Sequence, residues 1–228
     1  MTSSVTRRLV PLAAAALVLL SACGGSDDDA DAKKSAKASA TPSATAAPID
    51  RDQIACKSLT AADRAKLAGS AVDEIVAATG ADGSSQCRWQ SDKALVQVTT
   101  LPAKQWAKSL PAIVKQLESS GELKAGQDKK DLDAAKKLLA GADKFTDKQA
   151  CDAFVTLAEL GGEKKGTTTT VTTVPISQTE SGISAQTCSD GTLTSIIYSV
   201  PGLKETKKID RTVQQVLASA HQRVTRKG

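Results

Sequence analysis

The chain has 228 residues, a formal net charge of +5 and a pI near 8.9. It is 40% hydrophobic but only 2% aromatic, so its core must be assembled from Ala, Val, Leu and Ile, and few rings remain for a sugar-stacking platform. His221 is the only histidine and no Cys-x-x-Cys occurs, which argues against a zinc site and against a redox-active dithiol.

Residues 1–22 read as an export signal. Arg7 and Arg8 precede an unbroken apolar run over residues 9–20, too short for a membrane-spanning helix, which needs roughly 20 apolar residues. The run closes on Leu20-Ser21-Ala22-Cys23, which resembles the bacterial lipobox, whose cysteine is diacylated with palmitate-type chains and becomes the new N-terminus. Two acyl chains anchor stably where one does not. Cys23 is therefore the predicted lipidation site, and the predicted address is the extracytoplasmic face of the cell membrane. Arg7-Arg8 admits twin-arginine as well as ordinary secretory export.

Residues 23–50 follow as an acylated cysteine and a Ser/Ala/Asp/Lys-rich tether with no large apolar side chain before Ile49. Such a stretch cannot bury enough surface to offset its ordering entropy. Asp27, Asp28 and Asp29 read as a solvated run rather than a calcium site.

Residues 51–228 are expected to form one α+β domain. Thr60 can cap a helix that Gly69 ends. Val72, Ile75 and Val76 fit helix or strand equally. Cys87, Trp89 and Leu95–Val98 alternate as a hairpin about Ser91-Asp92, stopped by Pro102. Trp106, Leu110, Ile113, Val114 and Leu117 share one helical face, with the regular helix beginning near Ser109 so that Pro111 falls in its first turn. Leu132, Ala135, Leu138 and Leu139 make the stripe of a linking helix over about 129–141, capped by Asp128 or Asp131.

The order then recurs. Lys148–Cys151 echoes Gln53–Cys56; CDAFVTLAELGG is helical and GTTTTVTTVPI strand-prone. Cys188 precedes an Asp190-Gly191 hairpin turn. Ile209, Val213, Val216, Leu217 and Ala220 repeat the earlier helical spacing. The expectation is an antiparallel sheet packed by helices, in two similar helix-hairpin-helix halves over about 51–121 and 148–224. Four cysteines allow three pairings, and spacing alone does not choose. The duplication does: Cys56 with Cys87 and Cys151 with Cys188, each stapling its own half, as structural disulfides of an oxidising compartment.

Cys56-Lys57-Ser58-Leu59-Thr60, Gly69 and Cys87-Arg88-Trp89 together resemble an uncharacterised lipoprotein family of actinobacteria. Its members show a lipobox, a Ser/Ala/Thr/Pro-rich tether, a Cys-x-Leu-Leu-Thr-like helix and Cys-x-Trp. The resemblance spans residues 51–101; Ser58 stands where a leucine is usual. It implies a lipid-anchored extracytoplasmic α+β domain and brings no activity.

No catalytic residues, metal site or cofactor are expected. His221 reads as a solvated residue at the end of the last helix, favourable to its dipole. The serines lack a Gly-x-Ser-x-Gly elbow. Lys204, Lys207, Lys208, Arg211, Arg223, Arg226 and Lys227 concentrate positive charge near the C-terminus, fit either for anionic lipid and wall polymer or simply for solubility. Nucleic acid is excluded by compartment. Two readings remain: a non-catalytic interaction or accessory module of the cell envelope, with a protein partner, and a carrier of a small apolar or lipidic ligand. An enzyme ranks below both.

Overall fold

In a computed structural model of the chain, the described residues are 49–81, 83–119, 127–177 and 179–226. The export signal, Cys23, most of the tether and Lys227 lie outside them, as does the side chain of Asp128.

Two short helices open the domain: α1 (Ile54–Ser58), carrying Cys56, and α2 (Ala61–Ala68). Thr60 caps α2 as expected: its hydroxyl accepts from Asp63 N, Asp63 returns the bond, and Gly69 closes the helix at φ 74°. Three strands follow, β1 (Glu74–Ala81), β2 (Ser84–Ser91) and β3 (Ala94–Pro102). The segment left open between helix and strand is thus an edge strand. Then come α3 (Ala103–Ser119), α4 (Gln127–Leu138), a 3₁₀ turn (Ala142–Lys144) and α5 (Asp147–Leu160). Three more strands, β4 (Thr169–Pro175), β5 (Ser181–Ser189) and β6 (Thr192–Ser199), lead to α6 (Lys207–Thr225).

The strands form one antiparallel sheet in the order β1-β2-β3-β6-β5-β4. The protein is α+β, as its sequence indicates. Each half supplies a three-stranded meander rather than a lone hairpin, and the meanders join through β3 and β6. At the β5–β6 turn, Asp190 and Gly191 both take positive φ (48° and 71°), which the right-handed twist of a tight hairpin requires.

Helices cover both sides of the sheet. On the first face, α1, α2 and α6 bury Leu59, Leu67, Val213, Val216 and Leu217 with Cys87, Trp89, Val96, Val98, Ile183, Ile196 and Tyr198. On the second, α3, α4 and α5 bury Trp106, Leu110, Leu132, Phe154 and Leu157 with Leu101, Leu193 and Cys188. The rings of Trp106 and Phe154 meet at 5.6 Å.

The disulfides are Cys56–Cys87 and Cys151–Cys188, closing sequence separations of 31 and 37. Loops of that size contribute roughly 3–4 kcal/mol each in the chain-entropy model. Cys87 lies on the first face and Cys188 on the second, because Cys87 pairs in register with Val98 and Cys188 with Leu193. Each staple therefore fastens a helix to a different side of the sheet.

The helix expected to begin near Ser109 begins at Ala103, so Pro111 lies in its interior. The reason is tertiary. Ala103 N donates to Gly191 O (2.8 Å) and Lys104 N to Asp147 Oδ1 (3.3 Å), which satisfies the first turn directly against the β5–β6 hairpin and α5. Burial of Ala103, Trp106 and Ala107 in that turn offsets the roughly 3 kcal/mol that an interior proline costs.

Candidate functional site

Three places combine reactive or charged side chains with a defined geometry. The first is His221, on α6. It is not solvated: it is only 8% exposed and lies against the first face of the sheet at the β5–β6 hairpin. Its Nε2 is 2.7 Å from Ser189 Oγ and its Nδ1 is 2.8 Å from Thr194 Oγ1. Ser189 Oγ also donates to Asp190 Oδ2 at 3.0 Å. A hydroxyl has one proton to give, so the count fixes the tautomer. Ser189 spends its proton on Asp190; Nε2–H therefore donates to Ser189, and Nδ1 accepts from Thr194. The pair looks like a nucleophile and its base, yet the nitrogen facing Ser189 is already protonated and cannot take the serine's proton. Burial holds the imidazole below its ordinary pKa, against the pull of the Asp190 carboxylate. His221 is a buried rivet between α6 and the hairpin.

The second is the basic C-terminal segment. Lys204, Lys207, Lys208 and Arg211 are exposed around the start of α6. Arg226 is exposed at the far end, about 28 Å from Lys207 at 1.5 Å per helical residue. Arg223 belongs to neither group. Its Nη1 donates to Ser58 O (2.6 Å) and to Asp63 Oδ2 (2.7 Å), clamping α6 to the α1–α2 junction. Burial pushes the Asp63 carboxyl up, but bonds from Thr60 and Arg223 outweigh it and hold the pKa below the usual value. The structure thus splits the expected cluster and takes Arg223 out of it. Tyr198 is 2% exposed and so offers no surface platform; burial, followed by the Asp210 charge, raises its pKa to about 12.

A third feature, invisible as a motif, is the centre of the second face. Residues two apart on a strand share a face, as do register partners. Two rows therefore cross five strands there: Gln86, Thr99, Ser195, Gln186, Thr170; and Arg88, Gln97, Ile197, Ser184, Thr172. All but Ile197 are polar. Among the described residues, Arg88 Nε, Thr172 Oγ1, Ser184 Oγ, Ser195 Oγ and both amide atoms of Gln186 are buried without a hydrogen-bond partner. Each such atom costs about 1–3 kcal/mol. Five of the six lie on β4, β5 and β6, with Arg88 Nε across β3 from them; together they would consume most of the 5–15 kcal/mol stability typical of a domain.

Beside these features lies an open groove of about 590 Å³ between α3, α4 and the 3₁₀ turn. Pro111, Val114, Leu139 and Ala142 floor it; Lys108, Lys115 and the Lys136–Glu118 ion pair (2.5 Å) rim it.

Nothing in the local pattern singles out Arg64 beyond its helix propensity. It is 8% exposed and donates to Val72 O (2.6 Å), Leu59 O (3.0 Å) and Asp73 Oδ1 (2.7 Å), with its guanidinium 4.6 Å from the Trp89 ring centroid. Of these four contacts, only that to the nearby Asp73 has a sequence signal.

Among the described residues no three His, Cys, Asp or Glu side chains gather as metal ligands, and no helix is long and apolar enough to cross a membrane. Comparison with protein-family models, with curated proteins and with solved structures returned no match.

Proposed function

We propose that this is a lipid-anchored, extracytoplasmic and non-catalytic interaction module of the cell envelope, held to the membrane through acylated Cys23 and acting through a protein partner. Membership of the actinobacterial lipoprotein family belongs to the same proposal. The observation that carries the non-catalytic part is His221. The one histidine has both ring nitrogens committed to chain hydroxyls, in the tautomer that cannot serve Ser189 as a base. The two disulfides are compatible with an oxidising compartment and support the address. The two halves, in this reading, share chain order and hairpins, while their staples went to opposite faces.

A second reading, a carrier of a small amphipathic ligand, is favoured by the groove between α3 and α4, whose volume falls in the range of ligand pockets, about 300–1,000 Å³.

Chemical cross-linking of the C-terminally tagged chain on intact cells, beside a Cys23→Ala variant, separates these. The expected result is one dominant envelope protein cross-linked to the membrane-bound wild type, and release of the variant into the medium. A ligand co-purifying at one per chain, with no cross-linked protein, would hand the function to the carrier. Retention of the variant on the membrane would remove the lipid anchor.

A further inference from the structure

We infer that the free edge of the sheet at β4 takes up an extended segment of the protein partner as an added strand, one with an uncharged centre and acidic flanks. The inference rests on the interaction reading and says where and how contact is made. The register decides which backbone groups are free. Ile176 N donates to Glu180 O (2.9 Å), and these two residues stand opposite each other in the same register as Val174 and Gly182. Hydrogen-bonded pairs recur at every second residue, so Thr170, Thr172 and Val174 turn their backbone groups to β5. Thr169, Val171, Thr173 and Pro175 turn theirs outward, away from the only strand that β4 pairs with. Among the described residues nothing bonds those outward groups. Thr169 and Val171 are half-buried and Thr173 and Pro175 exposed, so solvent reaches this edge. Pro175, which has no N–H to lose, falls in the outward set, as an edge proline must.

The opposite edge is protected and this one is not. β1 is broken by a bulge between Ile75 and Ala77 and begins at the carboxylate of Glu74. β4 keeps its register throughout, carries no charge, and is built of threonine and valine, which favour strands. A regular, uncharged edge is a template for another strand. Charge selects whose strand it is. Lys164 and Lys165 are exposed just before β4. Thr173 Oγ1 donates to Glu205 Oε2 (2.7 Å), which brings the exposed Lys204, Lys207 and Lys208 near the other end. Among the described residues these lysines form no ion pair. The acids nearby are Glu163, Glu180, Asp210 and Glu205, the last spent on Thr173. The edge is thus neutral along its length and basic at both ends. A second copy paired antiparallel about Val171 would set Lys164 and Lys165 against the Lys204, Lys207 and Lys208 of its twin. A partner strand with acidic residues at its ends instead meets backbone groups along its length and cations beyond them.

The test uses the full chain and a phage-displayed library of random 12-residue peptides as the probe. Enriched peptides should hold a run of β-branched residues flanked by Asp or Glu. Resynthesised with N-methyl groups on alternate residues, such a peptide should lose about tenfold or more in affinity in one alternation and little in the other. Only every second N–H of an added strand faces β4, and the comparison leaves the protein unaltered. In amide exchange followed by NMR, the peptide should slow Thr169, Val171 and Thr173 and leave Thr170 and Thr172, already bonded to β5, unchanged. Val171→Pro removes an outward donor that the sheet does not use and should weaken binding by about tenfold or more. Lys204→Gln, Lys207→Gln and Lys208→Gln together should erase the preference for acids. The absence of any enriched peptide, equal losses for the two alternations, or slowed exchange on β1 in place of β4 would each overturn the inference. Slow exchange at Val171 without peptide, growing with protein concentration, would overturn it in favour of a second copy. A cross-linked envelope protein still held by Val171→Pro would sink the edge and leave the interaction reading intact. An absent cross-link would sink that reading whatever the peptides do.

Discussion

The two faces of the sheet carry the same kind of side chains and treat them differently. A row of hydroxyls crosses five strands on the first face: Ser85, Thr100, Thr194, Thr187 and Thr169. There the chain answers all but Thr100. Ala55 N donates to Ser85 Oγ, Thr187 donates to Thr168 O and receives from Thr169, and Thr194 holds His221. Arg64 and Arg223 fasten the covering helices in the same way, by bonding backbone carbonyls that would otherwise be unpaired. On the second face the answer is partial: Gln86 Nε2 donates to Thr99 Oγ1, while the side-chain atoms of Ser195, Ser184, Thr172 and Gln186 and Arg88 Nε are buried without a hydrogen-bond partner. Among the described residues, most of the unpaired buried side-chain atoms of the sheet lie on its second face. A polar group inside a protein is thus informative through its partner, not through its burial.

The largest test of that contrast is Arg64→Ala. It would leave Leu59 O and Val72 O unpaired beneath α2 and uncover Trp89, and should cost roughly 2–4 kcal/mol in urea unfolding. A loss below 0.5 kcal/mol or so would mean that the first face does not depend on its internal bonds. A smaller effect compares the faces directly. Thr194→Val strands His221 Nδ1 and should cost about 1–2 kcal/mol, whereas Gln186→Leu should cost nothing measurable. Equal losses would erase the distinction between the faces.

The smallest effect is a pH dependence. His221 is buried and its folded pKa lies below the ordinary 6.5, so the unfolded chain binds the proton more tightly. Its contribution to stability is full above pH 6.5 and is lost as pH falls from there through the folded value. Asp63, held low by Thr60 and Arg223, adds a second loss only below its ordinary 3.8. Unfolding measured at pH 7.5 and 5.5 should therefore show a decline that His221→Gln abolishes. An identical decline in the variant would assign the effect elsewhere.

Local patterns explain why so much of the fold was legible. Thr60 three residues before Asp63, Asp190-Gly191 between apolar strands, and the spacing from Ile209 to Ala220 each act within a few residues, where side-chain and backbone geometry suffice. The alternation in Ile183-Ser184-Ala185-Gln186 likewise announces a strand with one apolar and one polar side. Nothing in that alternation says that the polar side would be covered, as it is at Ser184 and Gln186. His221 misled for a related reason. A histidine in a last turn is usually solvated, and only the arrival of the β5–β6 hairpin, some 30 residues earlier in the chain, turned it into a buried rivet. Arg223 passed as one more surface cation because its acceptors, Ser58 O and Asp63, lie at the other end of the domain.

What the sequence by itself determined is most of the element order, the antiparallel character of the hairpins and the apolar stripe of each helix, which follow from periodicity and turn chemistry. Among the three possible cysteine pairings, the structure holds Cys56–Cys87 and Cys151–Cys188. The face on which each helix lies was decided only by the tertiary structure. Ala103 follows Pro102 without a loop and turns α3 to the second face, while residues 200–206 carry the chain from β6 over to the first. That choice set Cys87 and Cys188 on opposite sides, buried His221 and left the Gln186 side chain without partners. The reason is physical: a strand's pattern fixes which side chains share a face, but only packing between distant segments decides what covers that face.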